Sequence, residues 1–538
     1  MEGQMRKFFN SSKLALLVLS VIISSILIIG CGSSTPSATT TAPAKTTTGS
    51  PTTAGPKKGG TLKVIMATSP SGLGYVPDIL KPEAVSMASP AAETLFRMDT
   101  KGESQPFLAA DHLKYDSATN SYMLTIKKGI KFQDDTPFNA AAVKWNIDQS
   151  IGKRTDIKNV KSVDVVDDYT CRFNLTVFDN TVEVQLSRYC GLMFSPTFFQ
   201  KNGQEGTKNY PVGTGPFKFV SFTRDVNLKY TKWDGYWQPG KPYLDGVEFV
   251  FVADPMVRLA SFQAGEADVL TGVEAKDAKK LQDTGKYTFN SCMGTLWGLA
   301  GDGSHETSPF AKIEVRQALE FAVNRDPVVN SIGQGYWAST DQPVAKTQWG
   351  YNTTPSPYSY SPAKAKQMLA GAGYPNGLGL PMIVQNNPAS AVDLMTSILA
   401  QLNEAGFNLH LEVVDPGAFS NYVVKTGWNN TLLCWNYIEG ADSSSILVNG
   451  FSSFGFPYRS TYYSKEKDDI VKQITQTTDF ATKKALTEQA MGLLRDKYCE
   501  LTTICRTTNI AAGKKTVHNH GFYAEDTFQT SLYDCWIE

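Results

Sequence analysis

PVGTGPFKFVSFTRDVNLKYTKWDGYWQPGKPYLDGVEFVFVADPMVRLASFQAGEADVL, which spans residues 211–270, decides the fold class of this chain. Gly213 and Gly215 stand just before Pro216, a combination typical of a tight turn. Apolar residues then recur in two neighbouring runs, which we expect to pair as a β-hairpin. These runs are Phe217, Phe219 and Phe222, followed by Val226, Leu228 and Tyr230.

The second half of the same stretch predicts a helix between two strands. Asp254 is a good N-cap residue, and Pro255 suits the first position of a helix. Gly265 is expected to end the helix before a buried strand at Val269 and Leu270. The predicted buried face of the helix comprises Val257, Leu259 and Phe262. A strand, helix, strand order of this length favours an α/β domain over an all-helical bundle or a β-sandwich.

The N-terminus predicts export and lipid attachment. Arg6, Lys7 and Lys13 precede an apolar run at 14–29, as in a secretory signal peptide. Ile28-Ile29-Gly30-Cys31 matches the lipobox of bacterial lipoproteins, so we expect cleavage before Cys31 and lipid on its thiol and new amino group. The alternative is a membrane-spanning helix, because the run lies near the lower limit of about 17 residues for crossing a bilayer.

Residues 31–59 are predicted to form a disordered tether. They are rich in Thr, Ser, Ala, Pro and Gly and hold no large apolar residue that could build a core. A flexible chain of this length spans about 30 Å. Such a tether would let a folded receptor move above the membrane surface.

Composition limits the function classes. Lys plus Arg and Asp plus Glu both number 51, so the formal net charge is +0, which argues against a nucleic-acid partner. Aromatic residues make up 11% of the chain, and Trp and Tyr are common in ligand clefts. The seven cysteines after Cys31 show no C-x-x-C spacing, so we expect neither a zinc site nor a thioredoxin-like site. Free thiols are favoured, although Cys171–Cys190 or Cys499–Cys505 remain open as disulfides.

Two further stretches carry recognisable motifs. KKGIKFQDDTPFNAAAVKWNID, residues 127–148, predicts a strand and turn followed by a helix capped by Asn139. SPFAKIEVRQALEFAVNRDPVV, residues 308–329, predicts a helix and then a second helix capped at Asp326-Pro327. Together with the 211–270 stretch, these motifs resemble those of the bacterial extracellular solute-binding proteins of family 5, the oligopeptide, dipeptide and nickel receptors of ABC importers.

The resemblance implies an α/β fold with two lobes, of the periplasmic-binding-protein type (class II, the large type with an extra subdomain inserted in lobe one). The domains it implies are a signal peptide at 1–30, the tether at 31–59, a lobe I core at 60–97, 210–296 and 507–538, an inserted subdomain at 98–209, and lobe II at 297–506. Ligand would lie in the cleft between the lobes, which close over it by a hinge motion. The implied partners are a membrane permease and a short peptide or similar solute, and the receptor itself is expected to be a monomer.

Candidate ligand contacts cluster in LLCWNYIEGADSSSIL, residues 432–447. In peptide-binding relatives the corresponding segment holds a Trp on a strand and an aspartate that pairs with the α-amino group of the peptide. Trp435 matches here, Tyr437 is a weaker candidate, and Glu439 or Asp442 would serve as the anchor. The alternative is that both acids are turn or capping residues.

Two other residues are candidates by position. Arg459 precedes a Tyr-Tyr-Ser run that faces the cleft in relatives, so it could hold a ligand carboxylate, or it could be a surface arginine. Trp297 could stack on ligand or pack in the core. Trp428 is a weaker candidate of the same kind.

An enzyme is the less favoured class. The sequence lacks the G-x-S-x-G, G-x-x-x-x-G-K-[ST] and H-E-x-x-H motifs, and no cofactor is implied. His518 and His520 could share a metal, but two ligands on a loop are weak evidence for a site. Among receptors, a peptide is the first expectation, while metal chelates, oligosaccharides and other organic solutes are alternatives.

Overall fold

The computed structural model describes residues 55–99, 103–438, 442–455, 458, 460–524, 530 and 532–538. Gly55–Glu538 is one of the two units into which the chain divides, the other being Met1–Ala54. Cys31 therefore lies outside the described residues, as do Glu439 and Arg459. Within the described part, no helix combines the length and apolar character needed to cross a bilayer.

Strands and helices alternate along most of the described chain. The strands are β1 (Thr61–Met66), β2 (Phe96–Met98), β3 (Ser104–Pro106), β4 (Lys114–Asp116), β5 (Ser121–Thr125), β6 (Val160–Asp167), β7 (Thr170–Leu175), β8 (Phe217–Thr223), β9 (Asn227–Lys232), β10 (Gly246–Phe251), β11 (Val269–Thr271), β12 (Tyr287–Gly301), β13 (Ala338–Ser339), β14 (Pro381–Gln385), β15 (His410–Val414), β16 (Leu432–Ile438), β17 (Thr502–Lys514), β18 (Val517–His518) and β19 (Trp536–Ile537). The helices are α1 (Pro82–Ala88), α2 (Ala140–Ser150), α3 (Val182–Gln185), α4 (Pro196–Thr207), α5 (Pro255–Gln263), α6 (Ala275–Asp283), α7 (Ile313–Ala322), α8 (Arg325–Gly333), α9 (Pro362–Gly371), α10 (Ala389–Glu404), α11 (Pro416–Asn421), α12 (Ser445–Gly450), α13 (Lys465–Gln476) and α14 (Phe480–Gly492).

One large sheet runs through the molecule in the order β15-β14-β16-β12-β17-β11-β1-β10-β9-β8, with β13 paired to β17. We call the part built on β11, β1, β10, β9 and β8 the first lobe, and the part built on β15, β14 and β16 the second lobe. Strand β1 is parallel to both β10 and β11, as expected where helices connect the strands. Each lobe has its own buried apolar clusters, around β1, β9 and β10 in the first and around β14 and β16 in the second.

The two lobes are joined by the long paired strands β12 and β17. Near Tyr287 these strands belong to the first lobe, because β17 there pairs with β11. From Thr295 onward β12 pairs with β16 of the second lobe. Their register shifts between Met293 and Leu296, where Gly294 lies so close to Thr507 that a Cβ atom would be 2.7 Å from its Oγ1.

A separate four-stranded sheet, in the order β4-β5-β7-β6, packs with α2 around a third apolar cluster. This cluster draws its residues from 95–193, so we call that region the insert. The domain boundaries given above remain a prediction. Asn139 caps α2 as expected, because its side chain accepts a hydrogen bond from the Ala142 N–H.

Local predictions for the 211–270 stretch are confirmed with two exceptions, Val226, which lies in the turn before β9 and is 54% exposed, and Val257. Strands β8 and β9 pair antiparallel, and Asp254 caps α5 by accepting from the N–H groups of Met256 and Val257. Val257 was expected in the core but is 53% exposed. Helix α5 buries Arg258 instead, because its guanidinium donates to the carbonyls of Val252 and Ala253 just before the helix.

Two other sequence expectations are resolved by the structure. Helix α8 begins at Arg325 rather than after Asp326, since the preceding Asn324 N–H donates to the Gln401 side chain of another helix. The seven cysteines from Cys171 to Cys535 are free thiols, and all but Cys292 are buried. Neither candidate disulfide is formed.

Candidate ligand-binding cleft

A cavity of about 640 Å³ lies between the second lobe on one side and the insert, together with residues of 77–82, on the other. One wall is formed by residues of 77–82, 153–158 and 185–189, and the other by Tyr437, Asn449, Phe454 and Gly455. Its size is within the range of about 300–1,000 Å³ that is usual for sites that bind small molecules. The two walls come from segments more than 200 residues apart in the chain.

The insert wall is shaped by the way helix α2 ends. Gly152 has a φ of 73°, in the left-handed region that glycine adopts without strain, and it turns the chain back after Ser150. A single 3-10 turn follows at Thr155–Ile157, and Ile157 is 1% exposed in the core of the insert. Because Ile157 anchors the turn, its charged neighbours Arg154 and Lys158 are left at the cavity.

Arg154 is held rigidly at this wall. Its Nε donates to Asp156 Oδ2 at 2.8 Å, and its Nη1 donates to the Ile79 carbonyl at 3.2 Å. The guanidinium also lies 4.5 Å from the centre of the Tyr189 ring. Burial lowers the pKa of Arg154, but nearby Asp156 outweighs it, so the net pKa is raised and the group stays charged.

Three further cations border the cavity: Lys153, Lys158 and Arg188. Arg188 is only 8% exposed, whereas the two lysines are exposed. Lys158 Nζ donates to the Phe454 carbonyl of the second lobe at 3.2 Å. Among the described residues that line the cavity, Asp156 is the only carboxylate, and it is paired with Arg154.

The opposite wall is formed by an aromatic group on the second lobe. Tyr437 lies at the end of β16 and stacks on Trp435, with ring centres 5.6 Å apart and an angle of 17° between the planes. Trp435 in turn packs on Phe451 and Tyr458, at 4.7 and 5.0 Å between ring centres. This packing fixes the Tyr437 ring at the cavity surface.

The insert and the second lobe also touch beside the cavity. Asn180 Nδ2 donates to the carbonyls of Ile474, at 2.8 Å, and Thr477, at 2.9 Å, at the end of helix α13. The last carbonyls of a helix have no partner within it, so the Asn180 amide satisfies groups that would otherwise face solvent. Together with the Lys158 bond to Phe454, this contact joins the insert to the second lobe beside the cavity.

Of the residues predicted to bind ligand, Tyr437 lines the cavity. Trp297 and Trp435 are 1% and 0% exposed, and both belong to core clusters of the second lobe. Trp428, also at 0%, donates its indole N–H to the Ala300 carbonyl at 3.1 Å. Ligand contact by these tryptophans stays a prediction, since none is among the lining residues.

Asp442 is part of a buried network within the second lobe. Its Oδ2 accepts from Lys483 Nζ at 3.0 Å, and its Oδ1 accepts from the Ser444 N–H at 2.8 Å and the Ser445 N–H at 3.1 Å. Burial raises the pKa of Asp442, but Lys483 and Ser444 outweigh it and lower the pKa overall, so the carboxylate is ionised. These contacts fit the capping role, and the amino-group anchor stays a prediction. The other two candidates, Glu439 and Arg459, lie outside the described residues.

Sequence reasoning missed the cations of the insert wall. The run at 152–158, GKRTDIK, reads as a solvated polar loop, because nothing in its pattern shows that it faces a second lobe. Arg188 stands beside Tyr189 in an irregular segment without a periodic signal. The one sequence signal is the apolar Ile157 within the charged run, because an apolar residue there indicates that the loop packs on a core. The structure buries this side chain.

Two lobes are joined by a pair of long strands, and a cavity of the size of a small solute lies between them. These features define a two-lobed binding protein. The chain belongs to the bacterial extracellular solute-binding proteins, family 5, whose model for the middle of the family matches residues 103–458. It is 29% identical over 415 residues to the glutathione-binding protein GsiB of Escherichia coli K12. The alignment covers 74% of this chain and 80% of GsiB. The predicted family, fold class and receptor function are thereby confirmed.

Solved structures show the same fold. DppA, an ABC transporter-associated periplasmic binding protein from Helicobacter pylori in complex with the peptide STSA, aligns with a TM-score of 0.74 and 22% identity, over 90% of this chain and 99% of DppA. AgaA from A. tumefaciens, in complex with agropinic acid, aligns with a TM-score of 0.75 and 23% identity, over 89% of this chain and 99% of AgaA. This chain is thus an extracytoplasmic solute-binding receptor that serves an ABC importer.

Proposed function

We propose that this receptor captures a short peptide, or a solute of similar size, in the cavity between the insert and the second lobe. The observation that carries the proposal is that Arg154 and Lys158 face Tyr437 and Phe454 across one cavity of about 640 Å³. A solute that contacts both walls stabilises the closed arrangement over the open one. The names of GsiB and DppA support a peptide-like ligand.

The joining strands supply the hinge in this proposal. Strands β12 and β17 are the direct covalent links between the lobes, and their register shift near Gly294 is a natural place for bending. The proposed lobe boundaries, 60–97, 210–296 and 507–538 against 297–506, meet at these strands. The insert, proposed as 98–209, would move with the first lobe.

Solute capture is tested by small-angle scattering and mass spectrometry. Gently purified receptor is analysed for retained solutes, then stripped and exposed to glutathione or to a peptic digest of casein. We expect a retained solute and a smaller radius of gyration when it is restored. No retained solute and no compaction with either source would contradict the proposal.

A matched pair of tyrosine variants tests the site. Tyr437→Ala removes an aromatic face of the cavity and should weaken binding at least tenfold. Tyr360→Ala removes a tyrosine that is 41% exposed and does not line the cavity, so it should leave affinity unchanged. Equal affinities for the two variants would place the ligand elsewhere.

We further propose that the mature receptor is a monomer, lipid-anchored at Cys31 and held on the tether at 31–59. The lipobox and the composition of the tether support this part of the proposal. A Cys31→Ser variant should be released from membranes, while the unchanged protein stays with them. Equal partition of both into the membrane fraction would contradict lipid attachment.

A non-peptide organic acid is the second candidate ligand. The cations of the insert wall favour it, and AgaA shows that this fold accommodates agropinic acid. Mass spectrometry of the retained solute distinguishes the two candidates directly.

A further inference from the structure

We propose that this receptor has a second small-molecule site, outside the cleft, which binds an uncharged solute rich in hydroxyl groups, such as a saccharide. The site is a cavity of about 530 Å³ lined by residues of 97–107, 288–290, 517–524 and 533–534, which we call the second cavity. Its volume is usual for a small-molecule site. Among the described residues, it shares no lining residue with the cleft cavity, so the proposal goes beyond solute capture in the cleft.

The second cavity lies where the insert meets the C-terminal part of the first lobe. The insert contributes the paired strands β2 and β3. The facing wall consists of the start of β12 and the irregular chain that follows β17. Val517, Phe522 and Leu532 anchor that chain, because all three are buried in the apolar cluster around β1, β9 and β10. Both walls therefore rest on apolar cores.

Buried hydrogen bonds fix the insert against the first lobe. Gln133 of the insert is 6% exposed and donates its side-chain amide to the carbonyls of Gly215, at 2.9 Å, and Phe217, at 2.8 Å. Glu93, which leads into the insert, accepts from the Tyr236 hydroxyl at 2.7 Å. The second cavity is thus formed before a ligand arrives, and binding in a preformed site costs little ordering of the protein.

Most polar side chains of the second cavity are neutral groups that both donate and accept hydrogen bonds. They include Gln105, Thr288, Asn290, Asn519 and His520. Burial lowers the pKa of His520 to about 4, so its ring is neutral near pH 7. Asn519 Nδ2 donates to the Asp534 carbonyl at 3.4 Å, and a side-chain amide with one such bond has capacity for others. Hydroxyl groups also donate and accept, so they match these side chains without adding a charge.

The charged side chains that line the second cavity already interact within the described protein. The Arg97 guanidinium lies over the Phe107 ring, 3.4 Å from its centre. The Asp99 carboxylate accepts from Gln105 Nε2 at 3.1 Å. Burial raises the pKa of Asp534, so this carboxyl group is less readily ionised than an ordinary aspartate. These contacts favour an uncharged ligand over a strongly ionic one.

Aromatic surface stands beside the neutral polar groups. The rings of Phe107 and Tyr533 both line the second cavity, with centres 6.1 Å apart and an angle of 28° between their planes. Aromatic side chains supply apolar contact area in ligand sites, and a few polar groups fix the orientation of the ligand. A saccharide ring suits this combination, because it presents C–H groups on its faces and hydroxyl groups around its rim.

Equilibrium dialysis with matched solutes tests the ligand class. The receptor, stripped of retained solute, is dialysed against glucose beside gluconate, N-acetylglucosamine beside glucosamine, and cellobiose beside cellobionate. We expect saturable binding of at least one neutral saccharide, at least tenfold stronger than binding of its charged counterpart. Saturable binding of no neutral saccharide, or equal or stronger binding of the charged members, overturns the proposal and leaves solute capture in the cleft untouched.

A matched pair of asparagine variants tests the place of binding. Asn519 and Asn408 are both exposed and have positive φ angles of 56° and 52°, which glycine adopts without strain. Asn519→Gly should lower affinity for the bound saccharide at least fivefold. Asn408→Gly is the control, since Asn408 lines neither cavity, and it should leave that affinity unchanged. Equal saccharide affinity of the two variants overturns the proposal.

Two aromatic variants separate the second cavity from the cleft. Tyr533→Leu removes an aromatic face of the second cavity and should lower saccharide affinity at least tenfold. Tyr437→Ala alters the cleft and should leave saccharide affinity unchanged. A loss of affinity with Tyr437→Ala but not with Asn519→Gly would place the saccharide in the cleft and overturn the proposal. If Tyr533→Leu does not fold, as judged by thermal unfolding, the Asn519→Gly comparison decides.

Discussion

Single residues inside the second lobe show how this receptor stabilises buried charge. The side chains of Asp442 and Lys483 are 9% and 10% exposed and form an ion pair of 3.0 Å. Such a pair contributes little net stability by itself, but removing one partner leaves a buried charge without compensation. The pair therefore fixes the turn that precedes α12 rather than adding a large stabilisation.

Lys483→Met is expected to lower the free energy of unfolding by about 3–5 kcal/mol, because it leaves the Asp442 carboxylate unpaired. The neighbouring Lys484 is the control, since it is 48% exposed and lies 3.9 Å from Glu488. Lys484→Met should change the free energy by less than about 1 kcal/mol. Urea denaturation measures both, and similar values for the two variants would contradict this account.

The burial of His520 should make the stability of the receptor depend on pH. It is 3% exposed, and burial lowers its pKa to about 4 from an ordinary value of 6.5. Between these values the unfolded chain binds more protons than the folded one, so stability rises with pH and is lost as pH falls from 6.5 towards 4. The contribution is on the order of 3 kcal/mol when complete.

His520→Gln should flatten this part of the stability profile relative to the unchanged receptor. The control is His410→Gln, which alters an exposed histidine and should preserve the slope. Denaturation at several pH values between 4.5 and 7.5 gives the comparison. A slope unchanged by His520→Gln would show that other groups cause it.

At the scale of elements, the contact between the insert and helix α13 depends on one amide. Asn180→Ala removes two hydrogen bonds worth about 0.5–1.5 kcal/mol each, so the closed arrangement should be destabilised and solute affinity should fall about tenfold. The control is Asn202→Ala, whose amide donates only to Phe198 within its own helix. Titration calorimetry measures the solute affinity of both variants. Unchanged affinity for Asn180→Ala would show that this contact does not contribute to closure.

Local sequence signals predicted elements well and sites poorly. The β8–β9 hairpin and the caps at Asp254 and Asn139 depend on neighbours in the chain, so they could be predicted from it. Helix α8 begins earlier than expected because of Gln401, a residue distant in sequence. The insert wall could not be predicted for the same reason, since Arg154 and Tyr437 meet only after the lobes have assembled.

At the scale of the whole molecule, stability should not depend on disulfide bonds. The seven cysteines between Cys171 and Cys535 are free, and burial raises the pKa of Cys434 and Cys505. Thiol titration of the denatured chain produced from Gly55 onward should give seven reactive groups, and dithiothreitol should leave the melting temperature unchanged. Fewer thiols, or a lower melting temperature with reductant, would reveal a bridge.

One of these cysteines allows movement of the joining strands to be measured. Cys292 is only partly buried, whereas the six other thiols are enclosed, and it stands next to Met293, where the register of β12 against β17 shifts. A maleimide dye added briefly to the native receptor would react there first. Its fluorescence would then report each opening and closing event in real time, so the kinetics of solute capture could be followed without introducing any new residue.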